Sequence, residues 1–288
     1  MANTRDIRRR IRSVQNTRQL TKAMKLVSAA RLRRAQQAMI AARPYAGKLA
    51  DVLASLAARA NPEAHPLLAG REVHRMEIVQ LTGDRGMCGS FNTNVIRRGA
   101  GAIEEAEAGG RQVDLQCIGK KGRDYFRRRR PIRREHPDYF RAFGYAEAAG
   151  IARELMDRFV GGEVDCVLVV YNEFKSAIQQ RPMVDQLLPV PRAEVRAHPE
   201  ETLEDYIYEP GADELLAELL PRHVEWQLFR ACLESAAAEH AARMNAMESA
   251  TRNAGDMIDQ LTLFMNRVRQ AGITREIIEV VSGSSAQM

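Results

Sequence analysis

Cysteine is scarce and scattered in this chain. The four cysteines, at 88, 117, 166 and 232, form no CxxC pair, which argues against a zinc site and a disulfide framework. Reduced thiols are the expectation. The six histidines, at 65, 74, 136, 198, 223 and 240, show no paired spacing, and no His or carboxylate cluster has metal-ligand spacing. Long apolar runs are missing too. No stretch of about 18 apolar residues is present to span a bilayer, and the opening MANTRDIRRRIRSVQ lacks the apolar core of a signal peptide. These absences leave the chain poorly equipped to act alone as an enzyme, and no cofactor or metal is expected.

Charge is present but unevenly placed. Residues 1 to 43 hold twelve Lys or Arg against one acid, Asp6, a net of +11; the whole chain is +6, so residues 44 to 288 carry −5. A strongly basic end calls for an acidic partner: nucleic acid, anionic lipid or an acidic protein surface. A second cluster, RRRRPIRR at 127 to 134, is short and interrupted by Pro131, and reads as a solvated loop.

Both ends read as long helices. From residue 4 to about 57 the sequence is rich in Ala, Leu, Arg, Gln and Met, good helix formers, interrupted only by Pro44 and Gly47. Apolar residues step by 4 and 3 through Ile7, Ile11 and Val14, then Leu32, Ala35, Met39, Ala42, Ala46, Leu49, Leu53 and Leu56, a heptad-like seam. Between 18 and 28 that seam is polar (Arg18, Thr21, Lys25, Ser28), and Leu20, Ala23, Met24 and Val27 occupy a neighbouring face. Pro221 marks a start or a kink in the second helix. From Trp226 its seam runs Phe229, Leu233, Ala236, His240, Arg243, Met247, Ala250, Ala254, Met257, Leu261, Phe264, Val268, Ala271. At 1.5 Å per residue each helix would span about 80 Å. Two such seams pair antiparallel if the middle folds compactly and returns the chain.

The middle alternates. RMEIVQLTG, QVDLQCIG and DCVLVVYNEF read as strands; NTNVIRRGAGAIEEAEAGG and YAEAAGIARELMDRFVGG read as helices stopped by Gly. SAIQQRPMVDQLLPV is a strand that its prolines push to an edge. Apolar strands alternating with helices imply a mostly parallel sheet. The expected fold is mixed α+β and α/β: an antiparallel two-helix coiled coil from the termini (1–58 and 211–286) with a central Rossmann-like α/β domain over 74–192.

The stretch VQLTGDRGMCGSFNTNV at 79 to 95 has the strand, Gly-rich loop, helix order of a phosphate cradle. A P-loop needs Lys and Ser or Thr after its last Gly, and here Arg85 has no such Lys behind it; the glycines at 83, 86 and 89 do not match GxGxxG. A tight turn at a strand end, or a polar contact for a partner, fits better. Cys88 as a nucleophile would need a base, and no His spacing supplies one. A basic helix leading into a coiled coil is also the layout of a DNA-binding zipper. Yet Arg8, Arg9, Arg10, Arg12, Arg18, Arg31, Arg33 and Arg34 go around the helix, and no nucleic-acid partner is expected. A basic shaft inside an acidic protein sleeve is the better physical reading.

Four stretches carry a resemblance: IRSVQNTRQLTKAMKLVSAARLRRAQ at 11 to 36, GDRGMCGSFNTNV at 83 to 95, the long terminal stretch from EHAARMNAMESA to VVSGSSA at 239 to 286, and DYIYEP at 205 to 210. In these the chain resembles the gamma subunits of bacterial F-type ATP synthases, the central rotor shaft, over nearly its whole length. The resemblance implies a non-catalytic subunit. Its partners are the hexameric ring of alpha and beta subunits, the epsilon subunit and the c-ring, and proton flow through the c-ring is coupled to ATP synthesis at the beta sites. It implies a peripheral place on the cytoplasmic face of the cell membrane, with membrane contact only through the c-ring; the absence of a transit peptide agrees. Thiol regulation through a closely spaced Cys pair is not expected.

Carried over by residue, the resemblance implies that Met24, flanked by Lys22 and Lys25, faces the moving acidic segment of a beta subunit. Arg269, Gln270 and Thr274 would meet the beta catch loop, and Arg243 and Met247 would face the N-terminal helix near Met24. Ile277, Ile278, Val280 and Val281 would form the apolar tip in an upper bearing. Tyr206 and Tyr208 would lie at the foot near epsilon and the c-ring, and Asp84 and Arg85 become candidates for contact with the surrounding ring.

Overall fold

The structure, a computed structural model, describes residues 4–59, 65–141, 143–191 and 211–285. It divides into two compact units, Met1–Ser28 with Arg243–Met288, and Ala29–Ala242. The two long helices contribute to both. Helix α1 runs Thr4–Arg59 and passes through Pro44 without a break.

The larger unit holds β1 (Arg75–Leu81), α2 (Phe91–Ala108), β2 (Gln112–Ile118), α3 (Lys120–Phe126), β3 (Arg134–His136), α4 (Tyr145–Val160), β4 (Cys166–Phe174) and β5 (Gln180–Leu188). The last helix, α5, runs Ala212–Ser285 with Pro221 inside it. Pro221 therefore lies within the helix and does not start it, one of the two readings, start or kink, that the sequence left open. Asp213 and Glu214 in the first turn suit the positive end of the helix dipole. The missing Pro N–H is tolerated because Leu216, Leu220, Val224 and Leu228 are buried on both sides of it and hold the chain in register.

The sheet order is β3-β2-β1-β4-β5. β1 pairs in parallel with β2 and β4, β2 in parallel with β3, and β4 antiparallel with β5. The mostly parallel sheet matches the expectation, and the proline-bearing strand is indeed an edge, with Pro182 opposite Asn172. Alternation along β1 decides the layers. Met76 and Ile78 face Val95, Ala102, Ile103 and Ala106 of α2. Val79 and Leu81 face a larger core built from Leu155 and Phe159 of α4, Leu53 and Leu56 of α1, and Leu220 and Leu228 of α5. The sheet is thus covered on both sides, as a parallel sheet requires.

Where helices approach the sheet closely, only glycine fits. A Cβ on Gly99 would meet the Gln80 Oε1, and one on Gly119, whose φ is +96°, would overlap the carbonyl oxygen of Thr82.

The smaller unit is a helix pair. Ile7 and Ile11 of α1 and Ala254 of α5 are buried there. The seam read for α5 is not buried throughout: Met247 and Ala254 are buried, whereas Met257 and Phe264 are exposed. An α-helix repeats every 3.6 residues, so a 3.5-residue stripe drifts by about 20° per heptad unless the pair supercoils.

Candidate functional site

The direction of the helix pair is read from three relationships. The Arg18 guanidinium lies over Gly255, 4.0 Å from where a Cβ would stand. Thr251 Oγ1 is 2.8 Å from Thr21 Oγ1. Lys25 Nζ pairs with the Glu248 carboxylate. As the α1 number rises the α5 number falls, so the helices are antiparallel.

Over this stretch the pair is polar inside and apolar outside. Thr21 and Ser28 are 8% and 3% exposed and Arg243 is buried, whereas Leu20, Leu26 and Val27 are 62%, 62% and 54% exposed. The buried hydroxyls are satisfied within their own helix, Thr21 Oγ1 on the Arg18 carbonyl at 3.0 Å and Ser28 Oγ on the Met24 carbonyl at 2.8 Å. Met24 is half-buried and Lys22 is exposed beside it. The hydrogen bond from Lys25 holds the Glu248 carboxyl below its ordinary range; the pair is solvated and adds little stability.

Farther along α5, every residue from 269 to 282 is exposed. Arg269, Gln270 and Thr274 lie here, Thr274 Oγ1 donating to the Gln270 carbonyl at 3.0 Å. Ile277, Ile278, Val280 and Val281 follow, all more than half exposed. A lone helix of this length is marginal in water, and its aliphatic side chains stand exposed. Tyr206 and Tyr208 lie outside the described residues.

The Gly-rich loop belongs to the larger unit, and its polar atoms turn inward. The Gly83 N–H donates to Asn92 Oδ1 at 2.9 Å. Asp84 accepts from the N–H groups of Lys120, Asp138 and Phe140 at 3.0, 3.0 and 3.3 Å, so its carboxylate organises the start of α3 and the turn after β3. Arg85 alone of the two is exposed. A Cβ on Gly83 would stand 2.8 Å from the Glu239 carboxyl carbon, so this glycine lets α5 cross the loop. Cys88 packs with Phe91 and Ala238. It is 1% exposed, with Asn92 Nδ2 3.1 Å from its sulfur; no substrate reaches it. Burial also pushes the thiols of Cys117 and Cys232 up to about 12, so they stay protonated.

The cluster 127–134 is not simply a solvated loop. Glu77, fully buried in β1, binds two guanidiniums: Arg133 Nε reaches its Oε1 at 2.8 Å and Arg158 Nη1 its Oε2. Arg133 also reaches Glu154 at 2.7 Å and Gln116 at 3.1 Å, and Arg158 reaches Asp114 at 2.8 Å. Burial raises the Glu77 carboxyl, and Arg133 and Arg158 pull against it. The signal was available: an acid inside the apolar strand RMEIVQL needs a cation, and the arginines to supply it stand in RRRRPIRR and in α4.

Two terminal helices that pair with each other, and around Thr21 keep polar groups inside and apolar side chains outside, define a helical stalk. No group of three or more His, Cys, Asp or Glu capable of holding a metal occurs among the described residues. The ATP synthase family model matches residues 3–287. An ATP synthase gamma chain of Solibacter usitatus is 52% identical over 286 residues, covering 98% of each chain. One from Anaeromyxobacter sp. strain Fw109-5 is 51% identical over 290 residues, covering 99% of each. Among solved structures, a chain of the Euglena gracilis mitochondrial ATP synthase (OSCP/F1/c-ring, rotational state 3) superposes with a TM-score of 0.68 at 19% identity, covering 99% of this chain and 94% of that one. A Tetrahymena thermophila central stalk/c-ring chain gives 0.59 at 24% identity, covering 80% and 99%. The chain belongs to the ATP synthase gamma chain family, the non-catalytic central-stalk subunits of rotary ATP synthases.

Proposed function

We propose that the helix pair stands inside a ring of alpha and beta subunits and that its rotation, driven by proton flow through a c-ring, sets the conformation of each beta site in turn. The observation that carries this reading is the inverted stretch around Thr21, with hydroxyls inside and Leu20, Leu26 and Val27 outside. A free-standing coiled coil would bury those aliphatic side chains; a shaft gripped by a protein sleeve presents them. The exposed α5 segment with Ile277, Ile278, Val280 and Val281 is the tip that such a sleeve would cover. The excess basic charge of residues 1–43 suits an acidic sleeve. A shaft with equal affinity for every beta conformation would shift nothing, so its two helices must present different surfaces to different beta subunits. Lys22, Met24, Lys25, Arg85, Arg269, Gln270 and Thr274 are the residues we assign to that contact. Asp84 acts through the loop it organises. The α/β unit then lies toward epsilon, the c-ring and the cytoplasmic face of the membrane, with Tyr206 and Tyr208 at the foot. No described helix is long and apolar enough to cross a membrane; in this reading the c-ring is what anchors the unit there.

Co-expression with alpha and beta subunits tests the assignment. The expected result is a complex that hydrolyses ATP only when this chain is present and assembles with it. Alpha and beta subunits that assemble and turn over equally well without the chain would defeat the assignment.

A further inference from the structure

The arginine turn after α3 remains without a role in the shaft. Its six arginines split into two sets. Arg130, Arg133 and Arg134 each have a carboxylate: Glu107, Glu77 with Glu154, and Glu154. Arg127, Arg128 and Arg129 are consecutive and exposed, and no carboxylate pairs with them among the described residues. Arg129 is held over the Tyr125 ring, its guanidinium 3.8 Å from the centroid and its Nη1 on the Tyr125 carbonyl at 2.8 Å. The residue stays exposed, and a guanidinium positioned in this way suits a phosphate.

The topology places these side chains at one end of the sheet. Arg130 reaches Glu107 in the last turn of α2 at 2.5 Å, and α2 ends just before β2 begins. The turn thus lies at the N-terminal end of the parallel strands. Arg111, exposed in the α2–β2 turn, lies at the same end. The Gly-rich loop, where Ala238 and Glu239 of α5 pack, is at the opposite end. Carboxylates near the turn are already taken: Asp114 and Glu163 by Arg158, and Asp165 by Arg71 and Arg75.

We infer that Arg111, Arg127, Arg128 and Arg129 form a contact surface for anionic phospholipid headgroups. The inference rests on the stalk reading above, which puts the α/β unit on the membrane side. Magnitude selects the partner. A basic side chain near an anionic bilayer contributes roughly five-fold in partitioning. Four such groups do not hold a free macromolecule at physiological salt, where duplex nucleic acid binding draws on about six to ten phosphate contacts. They suffice where another attachment already holds the surface close, as the c-ring would. The contact would be reversible and screened by salt within a Debye length of about 8 Å, which suits a part that turns.

The test is co-sedimentation at low salt, where screening is weak and four charges act without a second attachment, with phosphatidylcholine vesicles, with and without phosphatidylglycerol, of the chain assembled with alpha and beta subunits and of the chain alone. The variant Arg127→Gln/Arg128→Gln/Arg129→Gln is compared with Arg8→Gln/Arg9→Gln/Arg10→Gln, which removes the same charge from α1. Circular dichroism checks that both variants fold. In the assembly the turn variant is expected to lose roughly a hundred-fold in partitioning to the phosphatidylglycerol vesicles, and the α1 variant little. Equal losses, or none in the turn variant, overturn the inference. So does tighter binding of a short DNA duplex than of vesicles at the same salt that is lost in the turn variant. If no assembly forms, the stalk reading fails at that step, and the turn-variant comparison on the free chain still decides whether these arginines meet lipid.

Discussion

Thr251 of α5 and Thr21 of α1 face each other across the helix pair with their hydroxyl oxygens 2.8 Å apart, at a position where a coiled coil ordinarily carries leucine. Proton counting fixes the arrangement. Thr21 gives its one hydrogen to the Arg18 carbonyl, so it accepts from Thr251, whose hydrogen is divided between Thr21 and the Met247 carbonyl at 2.7 Å. Thr251→Val keeps the shape and removes the cross-helix bond, and should lower the stability of the chain by about 1 kcal/mol. Thr21→Val with Thr251→Val should lie within about 0.5 kcal/mol of the parent, because no half-satisfied hydroxyl is left. Urea unfolding of the four chains closes this cycle. A double variant as damaged as the sum of the singles would mean that the hydroxyls do not act as a pair.

The Glu77 cluster makes a stronger demand. Glu77→Ala leaves Arg133 and Arg158 directed into a protein interior without their shared anion, and breaking such a buried pair costs about 3–5 kcal/mol. Arg133→Ala should cost less, since Arg158 still neutralises Glu77. The order of the two urea midpoints is the measurement, and equal midpoints would show that Arg133 supplies most of the compensation.

Asp165 predicts a pH dependence. Burial pushes its carboxyl up, but the N–H groups of Arg75 and His74 and the guanidiniums of Arg71 and Arg75 outweigh that and hold it below the ordinary range. A depressed folded-state value means that the unfolded chain binds the proton more readily. The stabilisation is then complete above the ordinary carboxylate value of about 3.9 and is lost as pH falls through the lower folded value. Asp165→Asn should therefore destabilise the chain at neutral pH by about 1–3 kcal/mol, and the difference from the parent should shrink progressively below about pH 4. A difference that is constant from neutral to acid would remove the charge from the explanation.

Gly119 and Gly83 separate two kinds of close approach. At Gly119 the φ of +96° disfavours any side chain, and a Cβ would lie 1.9 Å from the Thr82 carbonyl oxygen, a backbone atom that cannot step aside. At Gly83 the obstacle is the end of the Glu239 side chain, 2.8 Å away, which can rotate at a cost. Gly119→Ala should cost more than about 3 kcal/mol and Gly83→Ala about 1–2 kcal/mol. Thermal unfolding of both variants checks the ranking.

The backbone plan was legible because periodicity and glycine punctuation were strong. Leu49, Leu53, Leu56 and Leu233 fall on helical stripes, and QVDLQCI and DCVLVVYNEF alternate or run apolar as parallel strands do. Lys120–Phe126 and Arg134–His136 were not seen as elements, since seven and three residues are too short for a period to show. The role of Asp84 was also hidden: its hydrogen-bond donors, Lys120, Asp138 and Phe140, are 36 to 56 residues away, and no local pattern brings them together. Pro221 left a start or a kink open because proline speaks only for its own missing N–H, while the packing of Leu216, Leu220 and Val224 decides whether the helix continues. The exposed α5 tip was named only through resemblance; its apolar pattern alone does not say which face is covered.

Arg269 and Thr274 give the functional prediction. Both lie on a stretch of α5 whose residues are exposed, so Arg269→Ala with Thr274→Ala removes two polar groups that are not buried in the fold. Thr274 Oγ1 bonds its own helix's Gln270 carbonyl, and exposed substitutions of this kind shift stability by within about 0.5 kcal/mol. The free chain should unfold as the parent does. In the assembled ATP synthase the same double variant should reduce ATP-driven proton pumping more than it reduces ATP hydrolysis, because a weakened grip lets beta sites turn over without advancing the shaft. Pumping and hydrolysis measured on the same membranes give the ratio. A parental ratio, with assembly intact, would remove Arg269 and Thr274 from the contact. A chain that unfolds early would instead show that the segment is held by contacts within the chain.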